Sequence, residues 1–367
     1  MGEEGMSSDR LAELRIAAGG LSEIAKARQK ANDAARLGDT ASEQYWIKRF
    51  HDLEAAADRL AARRLRRQEA LKGFDLERGD LVGGVTGVAL VPSTEVSLAP
   101  GVTLKSTYAH LMLPSIIATA PPPDPTAPHP GPWFQSGGMG VDILVEVSIQ
   151  GSVQASGFDA LNAAWLATAL IRLRVNPDAT MPLVASVSLA QLPATPDATL
   201  LPIEAAPTSM FRLPVGERRT LKDADVAWLC DHYLAASSLC RESNFLPAFV
   251  SFDEAPSSPN PRSRMLILWS ALEALFRPGR PNTGDRLGKA AAVMLAGGVS
   301  DRDAIFREVR DRYQRRGDIA HASLTPTVTE VEELGVLAAS CFQRVIEAGR
   351  IPSLDELLTQ WRTRTMA

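Results

Sequence analysis

The chain has 367 residues, of which 45% are hydrophobic and 22% charged, and its formal net charge at pH 7 is −4. This composition is typical of a globular protein that can bury a sizeable core. It excludes a disordered chain, a disulfide-dependent miniprotein and a protein that is basic over its whole surface. The length exceeds that of one ordinary core and predicts two or three domains.

The cysteines and the N-terminus indicate the compartment. Cys230, Cys240 and Cys341 show no C-x-x-C spacing, and their odd number predicts buried thiols in a reducing environment. The first residues, Met1–Glu4, precede no apolar segment, so no signal peptide is expected. No stretch approaches the roughly 18–20 apolar residues of a membrane span. We therefore expect a cytoplasmic protein without a membrane partner.

Residues 1–75 are predicted to form a helical hairpin or coiled coil. Apolar residues recur there at near-helical spacing, and Gly38–Thr40 supplies a break with a cap for the second helix. The strongly basic run Arg63–Arg67 follows in the second helix. It has two interpretations, a solvated helix face or an edge that binds RNA or a partner.

Residues 80–215 are predicted to form a mixed α/β domain. The proline-rich segment Pro121–Pro132 indicates a surface loop, and residues 192–220 indicate a proline-broken surface segment. His110 and His129 are isolated in the sequence, and we interpret them as surface or loop histidines. The predicted strands are Val85–Val91, Val102–Tyr108, Asp142–Gln150 and Met181–Leu189, and the predicted amphipathic helix is Phe158–Val175.

Residues 222–367 are predicted to be helical, with short loops that indicate an up-and-down bundle. The segment Arg262–Phe276 is apolar nearly all round, so we expect it in the middle of that bundle. Glu273 is the exception within it. Its carboxylate either points to the rim and pairs with a nearby arginine, or supports a polar pocket. The other predicted helices are near 223–241, 285–296, 301–316 and 327–348.

The stretch Tyr313–Ala322 brings a strong cation and a titratable base together. Arg316 and His321 are five residues apart, which on one straight helix is about 140° of rotation. Gly317 suits a left-handed cap and Asp318 suits the start of a new helical turn, so we predict a break that swings His321 towards Arg316. Alternatively, the two residues meet the matching pair of a second subunit.

An arginine beside a histidine suits phosphodiester chemistry on RNA. A guanidinium binds phosphate oxygens in pairs and stays charged, while an imidazole titrates near neutrality and can move a proton. No metal or cofactor is required when the 2′-oxygen of the RNA is the nucleophile.

The last third of the chain resembles the HEPN superfamily, and specifically its ApeA-like branch. The matching features are Leu272–Phe276 in an apolar helix, capped helices after it, and the motif Tyr313-x-x-Arg316-x-x-x-x-His321-Ala322. The resemblance implies a helical bundle that dimerises and places two Arg/His pairs around one cleft. Many relatives are metal-independent ribonucleases of toxin, abortive-infection or antiviral systems, and others are non-catalytic.

By this resemblance Arg316 would hold the phosphate and His321 would act as general acid or base. Tyr313 matches a position that packs the motif helix. Relatives often carry a polar residue directly after the arginine, where this chain has Gly317. The remaining supporting candidates are Asp318, Glu273 and Arg315.

Three functional hypotheses follow. The first is an endoribonuclease acting on RNA as a homodimer through the C-terminal bundle, with residues 1–215 engaging a protein partner or antitoxin. The second is a non-enzymatic dimerisation module that binds RNA or nucleotides. The third is an adaptor protein whose function resides in the α/β region.

Overall fold

The computed structural model describes residues 21–51, 54, 80–118, 133–150, 159–202, 217–258, 260–321 and 324–364. It confirms a mixed α+β chain whose C-terminal region is helical. The chain divides into two compact units. The helical unit comprises Met1–Gly73, Ser243–Cys341 and Pro352–Ala367, and the sheet unit comprises Phe74–Glu242 and Phe342–Ile351. The predicted three-part layout stays a prediction.

The described residues of the N-terminal part form two helices joined by a tight turn. Helix α1 is Leu21–Arg36, and α2 is helical over the described residues 40–51. The backbone turns at Gly38, whose φ is 70°, and the Asp39 side chain accepts a hydrogen bond from the Ser42 amide at 3.1 Å. Ala27 is buried against aromatic side chains of α2. The break and the cap were predicted, whereas the basic run Arg63–Arg67 lies outside the described residues.

The sheet unit is built on a six-stranded antiparallel sheet in the order β3-β4-β5-β1-β6-β7. A separate parallel pair joins β2 and β8. β4 and β5 form a long ladder running from Val102 opposite Ile149 to Ala118 opposite Trp133. The strands are β1 Leu81–Thr86, β2 Val88–Ala89, β3 Glu95–Ala99, β4 Val102–Ala118, β5 Trp133–Ile149, β6 Thr180–Ala185, β7 Leu200–Pro202 and β8 Arg219–Thr220.

Three details of the predicted middle region need correction. The first strand begins at Leu81, because Gly83 and Gly84 pair within the sheet instead of preceding it. Leu200–Pro202 forms an edge strand of the sheet, within a segment predicted only to lie on the surface. Helix α3, Ala160–Arg174, is not amphipathic, since twelve of its fifteen residues are buried. The proline-rich segment Pro121–Pro132 lies outside the described residues.

His110 is not isolated, as the sequence suggested. It lies opposite Asp142 in the β4–β5 ladder, and its Nδ1 is 2.8 Å from the Asp142 carboxylate. Arg218 donates a hydrogen bond to the other carboxylate oxygen of Asp142, also at 2.8 Å. Residues 32 and 76 positions apart in sequence meet there, and a linear pattern carries no sign of that. His129 lies outside the described residues.

Helix α4, Asp223–Leu239, belongs to the sheet unit, although the sequence division grouped it with the C-terminal helices. Asp225 caps it by accepting a hydrogen bond from the Lys222 amide at 3.2 Å. The Tyr233 hydroxyl donates a hydrogen bond to the Ala163 carbonyl at 3.1 Å, which ties α4 to α3. Cys240 follows α4 as a buried thiol, and burial raises its pKa to about 12.

The C-terminal helices carry the candidate site. Helix α6 has nine buried residues, among them the fully buried Trp269, as its apolar sequence predicts. Helix α10 was not predicted, although Leu354, Leu357, Leu358 and Trp361 recur at helical spacing after the capping Ser353. The helices are α5 Phe245–Glu254, α6 Pro261–Phe276, α7 Thr283–Leu295, α8 Val299–His321, α9 Val328–Ala348 and α10 Leu354–Arg364.

Two glycines of α7 allow α8 to approach closely. A Cβ on Gly284 would lie 2.7 Å from the Tyr313 ring, and one on Gly288 would lie 3.0 Å from the Phe306 carbonyl oxygen. Both distances are shorter than van der Waals contact, so a larger residue would push the helices apart. Tyr313 therefore lies directly against the first turn of α7.

Within the described residues, no helix combines the length and the apolar character needed to cross a membrane.

Candidate active site

Helix α8 continues through Gly317 without a break. It runs from Val299 to His321, so the predicted interruption at Gly317–Asp318 is wrong. No described atom would lie within 4 Å of a Cβ on Gly317, and its φ is not positive. Helix geometry therefore keeps Arg316 and His321 about 140° apart around the axis. A glycine within a helix costs only about 0.5–1 kcal/mol relative to alanine, so Gly317 alone does not end α8.

Arg316 is held by Glu273 and Tyr313. Its terminal nitrogen Nη2 lies 3.4 Å from Glu273 Oε1, and the Tyr313 hydroxyl donates a 2.8 Å hydrogen bond to the same oxygen. The guanidinium carbon of Arg316 lies 5.5 Å from the centre of the Tyr313 ring, in cation–π range. One carboxylate on α6 thus fixes two residues that are three positions apart on α8. Glu273 pairs with an arginine, and that arginine is Arg316.

The base of this cluster is apolar. The Tyr313 ring packs edge-on against the buried indole of Trp269, with ring centres 5.1 Å apart and planes at 89°. Such aromatic pairs contribute about 0.5–1.5 kcal/mol beyond the area that they bury. Gly284 also lies close to the Tyr313 ring. Tyr313 thus packs α8 against α6 and α7, and its hydroxyl also donates a hydrogen bond to Glu273.

The environment alters the acidity of Tyr313. Burial raises the pKa of its hydroxyl most, and the hydrogen bond and negative charge of Glu273 raise it further, whereas Arg316 opposes them. Tyr313 therefore stays protonated at neutral pH and remains a donor to Glu273. A hydrogen bond to a charged acceptor contributes about 1.5–3 kcal/mol, more than the roughly 0.2–1 kcal/mol of a typical exposed ion pair. The hydrogen bond from Tyr313 therefore stabilises the Glu273 carboxylate more than the ion pair with Arg316 does.

Arg316 keeps an unsatisfied donor. Its buried Nε has no hydrogen-bond partner among the described residues, and neither has Nε1 of Trp269. The Arg316 side chain is 29% exposed, so it is partly accessible to a ligand. The Arg316 guanidinium can therefore bind an anion while its ion pair with Glu273 keeps it in place.

The other supporting candidates lie apart from this cluster. Arg315 Nε pairs with Glu330 at 2.8 Å and ties α8 to the first turn of α9. The Thr327 amide, and to a lesser degree Arg315, hold the pKa of Glu330 below its ordinary value. Asp318 is exposed and lies roughly 200° around the helix from Arg316. Ile319 is fully buried and anchors this end of α8.

His321 is the last residue of α8. The placement of its imidazole lies outside the described part of the structure, and so does Ala322. The structure thus brings together Glu273, Tyr313 and Arg316, while the position of the histidine side chain stays a prediction. Sequence reasoning missed the contribution of Trp269 and Gly284, which only the packing of α6, α7 and α8 reveals.

Comparison of the chain with protein-family models, curated proteins and solved structures yields no match.

Replacing Gly317 with alanine tests the continuous helix. Alanine should raise the free energy of unfolding by about 0.5–1 kcal/mol, because it is a better helix former and nothing described blocks its Cβ. The measurement is chemical denaturation followed by circular dichroism. Gly38→Ala is the matched control and should lower stability, since Gly38 has a positive φ. A lower free energy of unfolding in Gly317→Ala would contradict the continuous helix and support a break at Gly317.

Replacing Glu273 with glutamine tests the coupling of the carboxylate to Tyr313. The pKa of Tyr313 should fall towards the ordinary tyrosine value without reaching it, because burial remains. The measurement is the tyrosinate absorbance during a pH titration, taken as the difference from the matching Tyr313→Phe protein. Glu333→Gln, which removes a carboxylate that pairs with Arg312, is the control and should leave Tyr313 unchanged. An unchanged pKa of Tyr313 in Glu273→Gln would contradict the hydrogen bond between Tyr313 and Glu273.

Proposed function

We propose that this chain is a metal-independent endoribonuclease of the HEPN type that cleaves RNA in a toxin, abortive-infection or antiviral setting. The observation that carries the proposal is the cluster of Glu273, Tyr313 and Arg316. A guanidinium held from behind by a carboxylate and an aromatic ring is a preorganised phosphate ligand. The helix that holds it ends at the motif histidine, His321.

The proposed reaction uses the 2′-hydroxyl of the RNA as nucleophile. His321 removes its proton, the bond between the 2′-oxygen and phosphorus forms, and the bond between phosphorus and the 5′-oxygen breaks. A second histidine, in its protonated form, gives a proton to the departing 5′-oxygen. The products are a 2′,3′-cyclic phosphate and a 5′-hydroxyl. Arg316 stabilises the additional negative charge on the phosphate oxygens in the transition state.

Two copies of the chain would complete this site. Arg316 and His321 are about 140° apart on one continuous helix, so one copy alone does not present them side by side. A second copy supplies a second His321, and this histidine is the second proton-transfer group of the proposed reaction. Exposed apolar residues on the segment that follows His321 give such a dimer a contact surface: Leu324, Val328 and Val336 are each at least half exposed.

A non-catalytic dimerisation module that binds RNA or nucleotides is the second candidate. The observation that favours it is the same ion pair between Arg316 and Glu273. A guanidinium whose charge is already balanced by a carboxylate binds phosphate less strongly than an unpaired one. On this alternative the cluster holds α6 and α8 together, and RNA is bound without being cut.

Substitution of Arg316 or His321 tests the ribonuclease. The purified full-length protein should cleave RNA in the presence of EDTA, and Arg316→Ala and His321→Ala should each reduce the rate by about 100-fold or more. The measurement is the rate of appearance of 2′,3′-cyclic phosphate ends. Arg344→Gln, which removes an exposed arginine of the sheet unit, is the control and should cleave at the wild-type rate.

Two outcomes would contradict this proposal. Cleavage that survives both substitutions would refute the site assignment. Retained RNA binding with no cleavage by the wild-type protein would favour the non-catalytic module.

A further inference from the structure

A groove of about 500 Å³ lies between α7 and α10, inside the helical unit. Its α7 side presents Asp285, Arg286 and Lys289, which share one face of the helix by their spacing, and Asn282, the residue that precedes the helix. Its α10 side presents Leu358, Trp361 and Arg362 at the same kind of spacing. The volume falls within the roughly 300–1,000 Å³ of small-molecule sites.

The charge of the groove selects an anion. Arg286, Lys289 and Arg362 contribute three cations, against the single carboxylate of Asp285. Lys289 and Asp285 pair with each other at 2.7 Å, so their charges largely cancel. Arg286 donates a hydrogen bond to the neutral Pro278 carbonyl at 2.6 Å, which leaves its charge uncompensated. Among the described residues neither Arg286 nor Arg362 has an acidic partner, so two guanidinium charges face the groove.

The indole of Trp361 adds a flat apolar wall. Its ring packs against Phe306 of α8 at 5.1 Å, which fixes its position, and it also lines the groove. Leu358 is buried beside it and extends this apolar wall. A rigid aromatic wall next to two guanidinium groups matches a ligand that joins a flat ring to a phosphate. A nucleotide has this chemistry, since bases stack on aromatic side chains while arginine binds the phosphate.

The groove shares the first turn of α7 with the candidate active site. Gly284 contacts the Tyr313 ring, while its neighbours Asn282 and Asp285 line the groove. The groove and the cluster of Glu273, Tyr313 and Arg316 therefore both adjoin the first turn of α7.

We propose that the groove between α7 and α10 binds one nucleotide unit, with its phosphate on Arg286 and Arg362 and its base on Trp361. The proposal rests on the proposed function only in choosing RNA as the polymer. A free nucleoside phosphate has the same chemistry, and the experiment distinguishes the two sources.

The test measures binding without cleavage. A fluorescent single-stranded RNA with 2′-O-methyl groups lacks the nucleophile, so its affinity for the full-length protein is independent of any ribonuclease activity. Trp361→Leu should weaken binding by about 5- to 100-fold, the effect of losing one stacked base. Arg362→Gln should weaken binding and reduce the slope of log affinity against log salt by about 0.7, the value for one phosphate contact of a single strand. Arg344→Gln should change neither quantity.

Adenosine 5′-monophosphate and inorganic tripolyphosphate serve as competitors. If adenosine 5′-monophosphate displaces the RNA from the wild type but not from Trp361→Leu, the groove is assigned to free nucleotides. Displacement only by unlabelled RNA assigns it to a nucleotide within a strand. Tripolyphosphate should compete more weakly than the ligand that carries a base.

Two results would overturn the proposal. One is unchanged affinity and unchanged salt slope in both Trp361→Leu and Arg362→Gln. The other is competition by tripolyphosphate that matches the base-carrying ligand. Because Trp361 packs on Phe306, thermal unfolding is measured to check that Trp361→Leu folds. Arg362 is exposed, so Arg362→Gln tests the proposal independently if Trp361→Leu does not fold.

Discussion

The carboxylate of Glu273 lies on a mostly buried helix, and the positions of Tyr313 and Arg316 depend on it. A carboxylate in such surroundings is costly unless hydrogen bonds and a counter-charge compensate it. Tyr313 supplies the hydrogen bond and Arg316 supplies the charge. The same contacts that satisfy Glu273 therefore fix the guanidinium that the proposed chemistry requires.

Helix packing makes this interaction possible. Trp269 supports the Tyr313 ring from α6, and the small residue Gly284 lets α7 come close to it. The first turn of α7 thereby joins two features, the packed face against α8 and the polar groove towards α10.

Local sequence signals predicted most of the elements. The capped turn at Gly38 and Asp39, the apolar helix around Trp269 and the helix that begins at Val328 all follow from periodicity and capping chemistry. Helix α10 carries the same kind of signal at Leu354–Trp361 and was predictable in principle. The break at Gly317 was wrong because helix propagation and the buried Ile319 outweigh the preference of one glycine. Contacts between distant residues, such as Tyr313 with Glu273 or His110 with Asp142, leave no local pattern and needed the structure.

The dependence of Arg316 on Glu273 is the central claim, and a double-mutant cycle on RNA cleavage tests it most directly. Cleavage rates would be compared for the wild type, Glu273→Gln, Arg316→Ala and the double variant. We predict that Glu273→Gln alone slows cleavage, and that adding it to Arg316→Ala causes no further loss, because the carboxylate acts through the arginine. Wild-type cleavage by Glu273→Gln, or effects that multiply independently in the double variant, would contradict the account.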